Sequence, residues 1–238
     1  EAVGLCTADN GDVIYVAQGH TEDWTAADSA DLDVAGVTII GCGQGESRPI
    51  FYLDNAAAEI VIADASVMIY NLRFIASVDS TVHIVEVEAD ADGFIIYKCE
   101  FMEPESGDTT DEADDIIQVG AGANQGFIVG NKFYSASAGA KTAIDLTAGV
   151  IEDLTIAGNE IYGDWAEAGI YSDDVDLRMR ILGNTVQNTS SGNHAIWLSA
   201  AATGWSEGNH IITDAVATSY DPGSLQTSNT DVWNDSDT

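Results

Sequence analysis

The chain has 238 residues, 40 of them Asp or Glu and only 7 Lys or Arg, so its formal charge at neutral pH is −33. A surface that acidic repels nucleic acid and anionic lipid, because binding either needs cations to displace counterions, and neither is expected as a partner. Hydrophobic residues make up 45%, enough for one continuous core at the size of a single domain, and no apolar run is long enough to cross a bilayer.

In chain order, EAVGLCTADN (residues 1–10) reads as a lead-in, followed by GDVIYVAQGHTEDW. From there one pattern returns as VTIIGCG, VMIYNLRF, FIIYKCEF, FIVGNKF, LTIAGNEI, MRILGNTV and WSEGNHI. Aligned, these place Cys42, Leu72, Cys99, Asn131, Asn159, Asn184 and Asn209 in one column, with Asn234 as an eighth member. Three residues earlier stand Ile39, Ile69, Ile96, Ile128, Ile156 and Ile181; two residues later stand Phe74, Phe101, Phe133, Ile161, Val186 and Ile211. Both offsets fit a strand with alternating faces that runs into a tight turn. A second run repeats in parallel, as Ile117, Ile144, Ile170 and Ile196 in DIIQV, AIDLT, GIYSD and AIWLS.

The steps along the column are 30, 27, 32, 28, 25 and 25 residues, each holding two or three short β runs and no 3.6-residue stripe. That combination predicts an all-β, single-domain parallel β-helix spanning residues 1–238, a single-stranded solenoid of about eight coils. Identical side chains on stacked coils lie about 4.8 Å apart. Asn131, Asn159, Asn184, Asn209 and Asn234 would then form an inward ladder of amides. Cys42 and Cys99, two coils apart, exceed the reach of a disulfide and are expected as reduced core residues. Towards the C-terminus the isoleucine column reads Ser206 and then Asp231, which predicts a loosely packed coil or cap over about 215–238.

The residues two and four before the column should point outward. In three successive coils they are Met68 and Tyr70, Ile95 and Tyr97, Phe127 and Val129. Six large side chains there would expose an apolar patch of several hundred Å2, more than soluble monomers usually carry. A subunit interface is the favoured reading, with a homo-oligomer as the partner. The competing reading folds the acidic 103–115 loop over that face.

The second run gives another outward column in which Asp145, Tyr171 and Trp197 follow one another, with Asp173 nearby. Aromatics flanked by carboxylates suit a glycan platform or an interface rim. The acidic stretches at 88–93 and 111–115 lack the full calcium-loop pattern. No cofactor or dedicated metal site is expected, beyond weakly held Ca2+ at those loops.

GDVIYVAQGH followed by DVAGVTIIGCGQGESRPIF resembles the opening coil of the pectin-lyase-like superfamily. It is similar, more closely, to β-helical structural proteins of tailed bacteriophages and environmental viruses. The resemblance covers about residues 11–54 and is a matter of pattern beyond. It implies right-handed winding and, for the viral group, an extracellular place on the virion surface among other virion proteins, often as trimers. Cys42 and Cys99 depart from it, since a polar turn residue is common there.

Many β-helices cleave polysaccharides, so a lyase or hydrolase is one alternative and a carbohydrate-binding adhesin another. Asp145, Asp173 and Asp174 could supply paired carboxylates. Yet none of His20, His83, His194 and His210 lies in a Gly-His-Gly motif, and bases able to take a proton are scarce. No catalytic residue is therefore assigned. The expected function is a non-catalytic virion-surface scaffold, either a capsid decoration or cement protein or a spike or fibre module.

Overall fold

The structure is a computed structural model that describes residues 2–27, 30–78, 81–102, 113–135, 140–213, 220–228 and 230–234. The chain winds as a right-handed parallel β-helix, passing in each coil through sheet A, then B, then C. Sheet A holds nine strands, from Val13–Val16 to Gln226–Ser228; sheet B holds nine, from Thr21–Trp24 to Asp231–Asn234. Sheet C holds eight, from Ala30–Leu32 to Tyr220–Asp221. No α-helix occurs among the described residues, only the 3-10 turns Val3–Leu5 and Gly45–Ser47.

The isoleucine column stacks as its spacing requires. Ile39 pairs with Ile69, Ile69 with Ile96, Ile96 with Ile128, Ile128 with Ile156 and Ile156 with Ile181, all inside sheet A. All six are buried, and each contributes roughly 1.5–3 kcal/mol of transfer free energy. The residues two past the amide column do not continue that strand, as the alternation implied. They belong to sheet B, after a two-residue corner, and their rings form a second core stack. Phe51, Phe74, Phe101 and Phe133 lie one above another, with centroids 5.7, 5.5 and 5.0 Å apart.

The amides occupy the corner between sheets A and B. Asn159 Oδ1 accepts from the backbone N–H of Asn131 at 2.9 Å and from its side-chain Nδ2 at 3.1 Å. Asn159 Nδ2 donates to the Ile128 carbonyl at 2.9 Å and to Asn184 Oδ1 at 2.9 Å. Asn184 and Asn209 repeat the arrangement, donating to the carbonyls of Ile156 and Ile181. The two columns found in the sequence are thus one device, because the amide of each coil binds the carbonyl of the isoleucine one coil earlier. The residue before each amide must turn with positive φ, which Gly130, Gly158, Gly183 and Gly208 do at 60–65° without a Cβ penalty. That is the origin of the recurring Gly-Asn pair.

Cys99 stands at the head of the ladder in place of an amide. Its N–H donates to Asn131 Oδ1 at 2.9 Å, and its thiol points to the Ile69 carbonyl at 3.9 Å. Burial pushes the thiol up to about 12, so it stays protonated. Cys6, Cys42 and Cys99 are all free. Cys42 is half-buried rather than a core residue, because its corner widens to hold Gly45–Ser47.

Two assignments at the C-terminal end need correction. Asn234 pairs with Thr213 at the far end of sheet B, so it is outside the amide column; the chain reaches that corner four residues sooner than the 25-residue step implies. The partner of Ser206 in the isoleucine column is Thr227, not Asp231, which pairs with His210. Ser206 itself is buried and satisfied. Its hydroxyl lies 2.6 Å from the Tyr220 hydroxyl and accepts from Asn209 Nδ2 at 3.0 Å. It terminates the ladder where the next amide is missing.

Removing one rung should be costly. Asn159→Ala leaves the Asn131 N–H and the Ile128 carbonyl buried without that partner, and should lower stability by about 2–4 kcal/mol, read from the urea midpoint. Cys99 should resist thiol reagents in the native state and react only on unfolding, while the half-buried Cys6 and Cys42 label faster.

Candidate functional site

Apart from an apolar cavity of about 640 Å3 at the N-terminal end, lined by Trp24, Ile39, Phe51 and Phe74, side chains fill the interior, and outside it the three sheets present different chemistry. On sheet A two outward columns run along the rod. One reads Val13, Thr38, Met68, Ile95, Phe127 and Thr155; the other reads Tyr15, Ile40, Tyr70, Tyr97, Val129 and Ala157. None of these twelve positions is charged, in a chain where 20% of residues are. Tyr15 is 68% exposed and Phe127 42%. Tyr70 and Tyr97 lean together with centroids 5.4 Å apart, and the Lys98 ammonium sits 5.0 Å from the Tyr97 ring. Met68, Tyr70, Ile95, Tyr97, Phe127 and Val129 therefore form one continuous patch. Charge returns only beyond it, at Arg180 and Glu207.

Of the 103–115 loop, residues 103–112 lie outside the described residues. Ala113, Asp114 and Asp115 belong to a sheet C strand, away from the sheet A face.

Sheet B carries a charge ladder that sequence reading missed. Arg48 Nη1 lies 2.6 Å from one oxygen of Glu100, and Arg73 Nη2 lies 2.7 Å from the other. These side chains are only 14–16% exposed, so the triad is largely shielded from solvent. Lys132 and Glu160 pair on the next two coils at 2.9 Å. Beside them a second outward column reads Tyr52, Ile75, Met102, Tyr134 and Tyr162.

On sheet C the structure brings together residues that no motif linked. His83, Asp115 and Thr142 occupy one outward column, and Glu86, Gln118, Asp145, Tyr171 and Trp197 the next. Asp115 accepts from the Thr142 hydroxyl at 2.8 Å, while Asp145 accepts from Gln118 Nε2 at 3.1 Å and from the Thr147 hydroxyl at 3.0 Å. Burial, reinforced by the nearby Asp145 carboxylate, pushes the Asp115 carboxyl up to about 7. Burial likewise lowers His83, whose Nδ1 has no hydrogen-bond partner among the described residues. Near neutrality this face thus holds a largely neutral imidazole and, at Asp115, a carboxyl that keeps its proton far above the usual aspartate range, with the Asp145 carboxyl beside it. Both carboxyls are bonded to neighbouring strands, which makes them braces between coils.

Neither the phage-like and pectin-lyase-like resemblance nor any other family gains support from similarity. The chain matches no protein-family model, no curated protein and no solved structure. The fold thus rests on the coordinates, and the viral reading on residues 11–54 alone.

Tyr171 and Trp197 do stack, with centroids 4.9 Å apart and planes 20° from parallel. Each ring covers one face of the other, however, and a sugar stacks on an open face. Asp145 is 4% exposed and occupied by its hydrogen bonds, and Asp173 lies in the exposed segment after the strand. Asp145, Tyr171 and Trp197 thus share one outward column of sheet C, with Asp173 in the segment after Tyr171. In the acidic 88–93 loop, Asp92 accepts from the Asn124 backbone N–H at 2.8 Å and so ties two coils together. Residues 111–112 of the other acidic stretch lie outside the described residues. Among the described residues no group of three acid, His or Cys side chains is placed to hold a metal ion.

Asp115 sets a pH dependence whose sign follows from its raised value. Between the ordinary aspartate range near 4 and its own value near 7, the unfolded chain has lost a proton that the folded chain keeps. Its contribution therefore falls as pH rises through that window and levels off above it. Asp115→Asn should remove this decline and stabilise the protein at pH 8 relative to pH 5 by an amount on the order of a few kcal/mol, measured as the difference between the two urea-midpoint profiles.

Proposed function

We propose that the chain is a non-catalytic structural rod that self-assembles laterally through the outer face of sheet A. The observation that carries this is the run of twelve uncharged outward positions on six successive strands. Leaving it in water is unfavourable by about 25 cal/mol per Å2 of apolar surface. Most of the remaining surface is acidic and repels its own kind, which directs self-association to this uncharged stripe. The inner ladder supplies the stiffness such a contact needs, since a flat face held by paired coils loses little freedom on docking.

The resemblance of residues 11–54 to phage and environmental viral β-helical proteins supports placing this rod on the exterior of a virion. There it would serve as a decoration or cement protein or as a spike or fibre module, in contact with other virion proteins and as a trimer. An acidic outer coat would keep neighbouring particles apart.

Sedimentation of the purified chain should give a homo-oligomer. Tyr70→Asp, which sets a charge in the middle of the patch, should weaken assembly at least 100-fold while leaving the β spectrum unchanged; a wild-type monomer at high concentration would defeat the reading. Gold-labelled antibody against the chain should decorate intact particles; particles that lack the protein would remove the virion location and leave the assembly intact.

A further inference from the structure

We infer that the surface receiving sheet A is the outer face of sheet B on a second copy, so that each rod packs A-on-B with the next. The inference rests on the assembly reading above and names its partner surface.

The first observation is chemical. Tyr52, Ile75, Met102, Tyr134 and Tyr162 give sheet B an apolar column through five coils, and Tyr134 is 42% exposed. A groove of about 320 Å3 runs along Met102, Tyr134 and Tyr162, beside the charge ladder. The ladder compensates its own charge, because Arg48 and Arg73 hold Glu100 while Lys132 holds Glu160. Three of the seven basic residues in the chain are gathered here. The outward face of sheet C carries Glu86, Asp114 and Asp145, with Lys141 paired to Asp114. Two chains of charge −33 can therefore bring faces A and B together without stranding carboxylates.

The second observation is geometric. Sheets A and B are neighbours, joined at the two-residue corners that carry the amides, so each copy offers its two uncharged or compensated faces on either side of one edge. The sheet A stripe, six strands long and two outward residues wide, measures roughly 350 Å2 from strand spacing and rise. One A-on-A contact would bury roughly twice that and would leave the sheet B column bare. With A on B, every copy uses both faces, the buried area per copy doubles and both columns are covered. Such a contact is heterologous, and with the two faces meeting at one edge it closes into a small ring with the amide edges towards the axis.

The test is complementation in the full-length chain. Tyr70→Asp spoils face A and Tyr134→Asp spoils face B, and each variant alone should sediment as a monomer. Mixed in equal amounts, the intact face B of the first meets the intact face A of the second, and a species of twice the 25.0 kDa chain mass should form. If Tyr134→Asp assembles like the wild type while Tyr70→Asp does not, sheet A remains the assembly face and the A-on-B contact is overturned. Two monomeric variants that stay monomeric when mixed overturn it as well. Tyr70→Asp assembling normally would remove both readings. Should either variant fail to give the wild-type β spectrum, Met68→Lys and Met102→Lys replace them on the same two faces.

Discussion

A backbone carbonyl on one coil and a side-chain amide on the next are the interaction around which this protein is organised. In an ordinary parallel sheet the hydrogen bonds run between strands and leave the corners to find their own partners. Here the corner between sheets A and B would hold an unpaired N–H and an unpaired carbonyl on every coil, both walled off from water. The column of asparagines answers both needs at once, since one oxygen takes two donors from the coil before and one nitrogen reaches the isoleucine carbonyl. The bonds are mutually dependent, so the coils are held in a single register. Without a fixed register the outward columns would not align, and neither the uncharged face of sheet A nor the charge ladder of sheet B would exist.

Electrostatics set the opposite constraint. With 40 acidic residues in a chain whose strands repeat about every 4.8 Å, the coils bring carboxylates near one another. Three solutions are visible. Some acids, such as Asp33, Glu46, Glu88 and Asp173, lie in exposed loops, where solvent screens them. A few are neutralised by the scarce basic residues, with Glu100 held between two guanidinium groups. Asp115 is placed where it keeps its proton to near neutrality and can brace the neighbouring strand through Thr142. The faces spared from charge are spared at the expense of crowding elsewhere, which argues that their apolar character is selected rather than incidental.

The architecture was legible because the columns that define it are inward and obligatory. An isoleucine three residues before an amide, repeated on consecutive coils, has one physical cause, and the register shows it. Legibility ended where the repeat loosened. Asn234 kept the 25-residue step yet sits four positions further along in sheet B, because the step counts residues and takes no account of where the chain turns. Sheet B was folded into the sheet A strand, since a two-residue corner leaves no gap in an alternating pattern. The groups on the outer faces of B and C were harder still. Arg48, Arg73 and Glu100 are separated by 25 and 27 residues, and His83, Asp115 and Thr142 by 32 and 27, so only the pairing of strands brings them together. The stack of Tyr171 on Trp197 was visible as a coincidence of columns, but the way the rings cover each other was not.

Both ends of the ladder are finished off chemically: the thiol of Cys99 starts it, and the hydroxyl of Ser206 completes it against Tyr220. Everything between is interchangeable, because each rung asks only for a rung before and after. A coil could be duplicated or excised between Asn131 and Asn184 without leaving an amide of the ladder unpaired, and the rod would lengthen or shorten in fixed increments. Height is therefore an adjustable quantity in this design, decoupled from the chemistry of its ends, and a lineage carrying it could fit objects of different size by copying one segment.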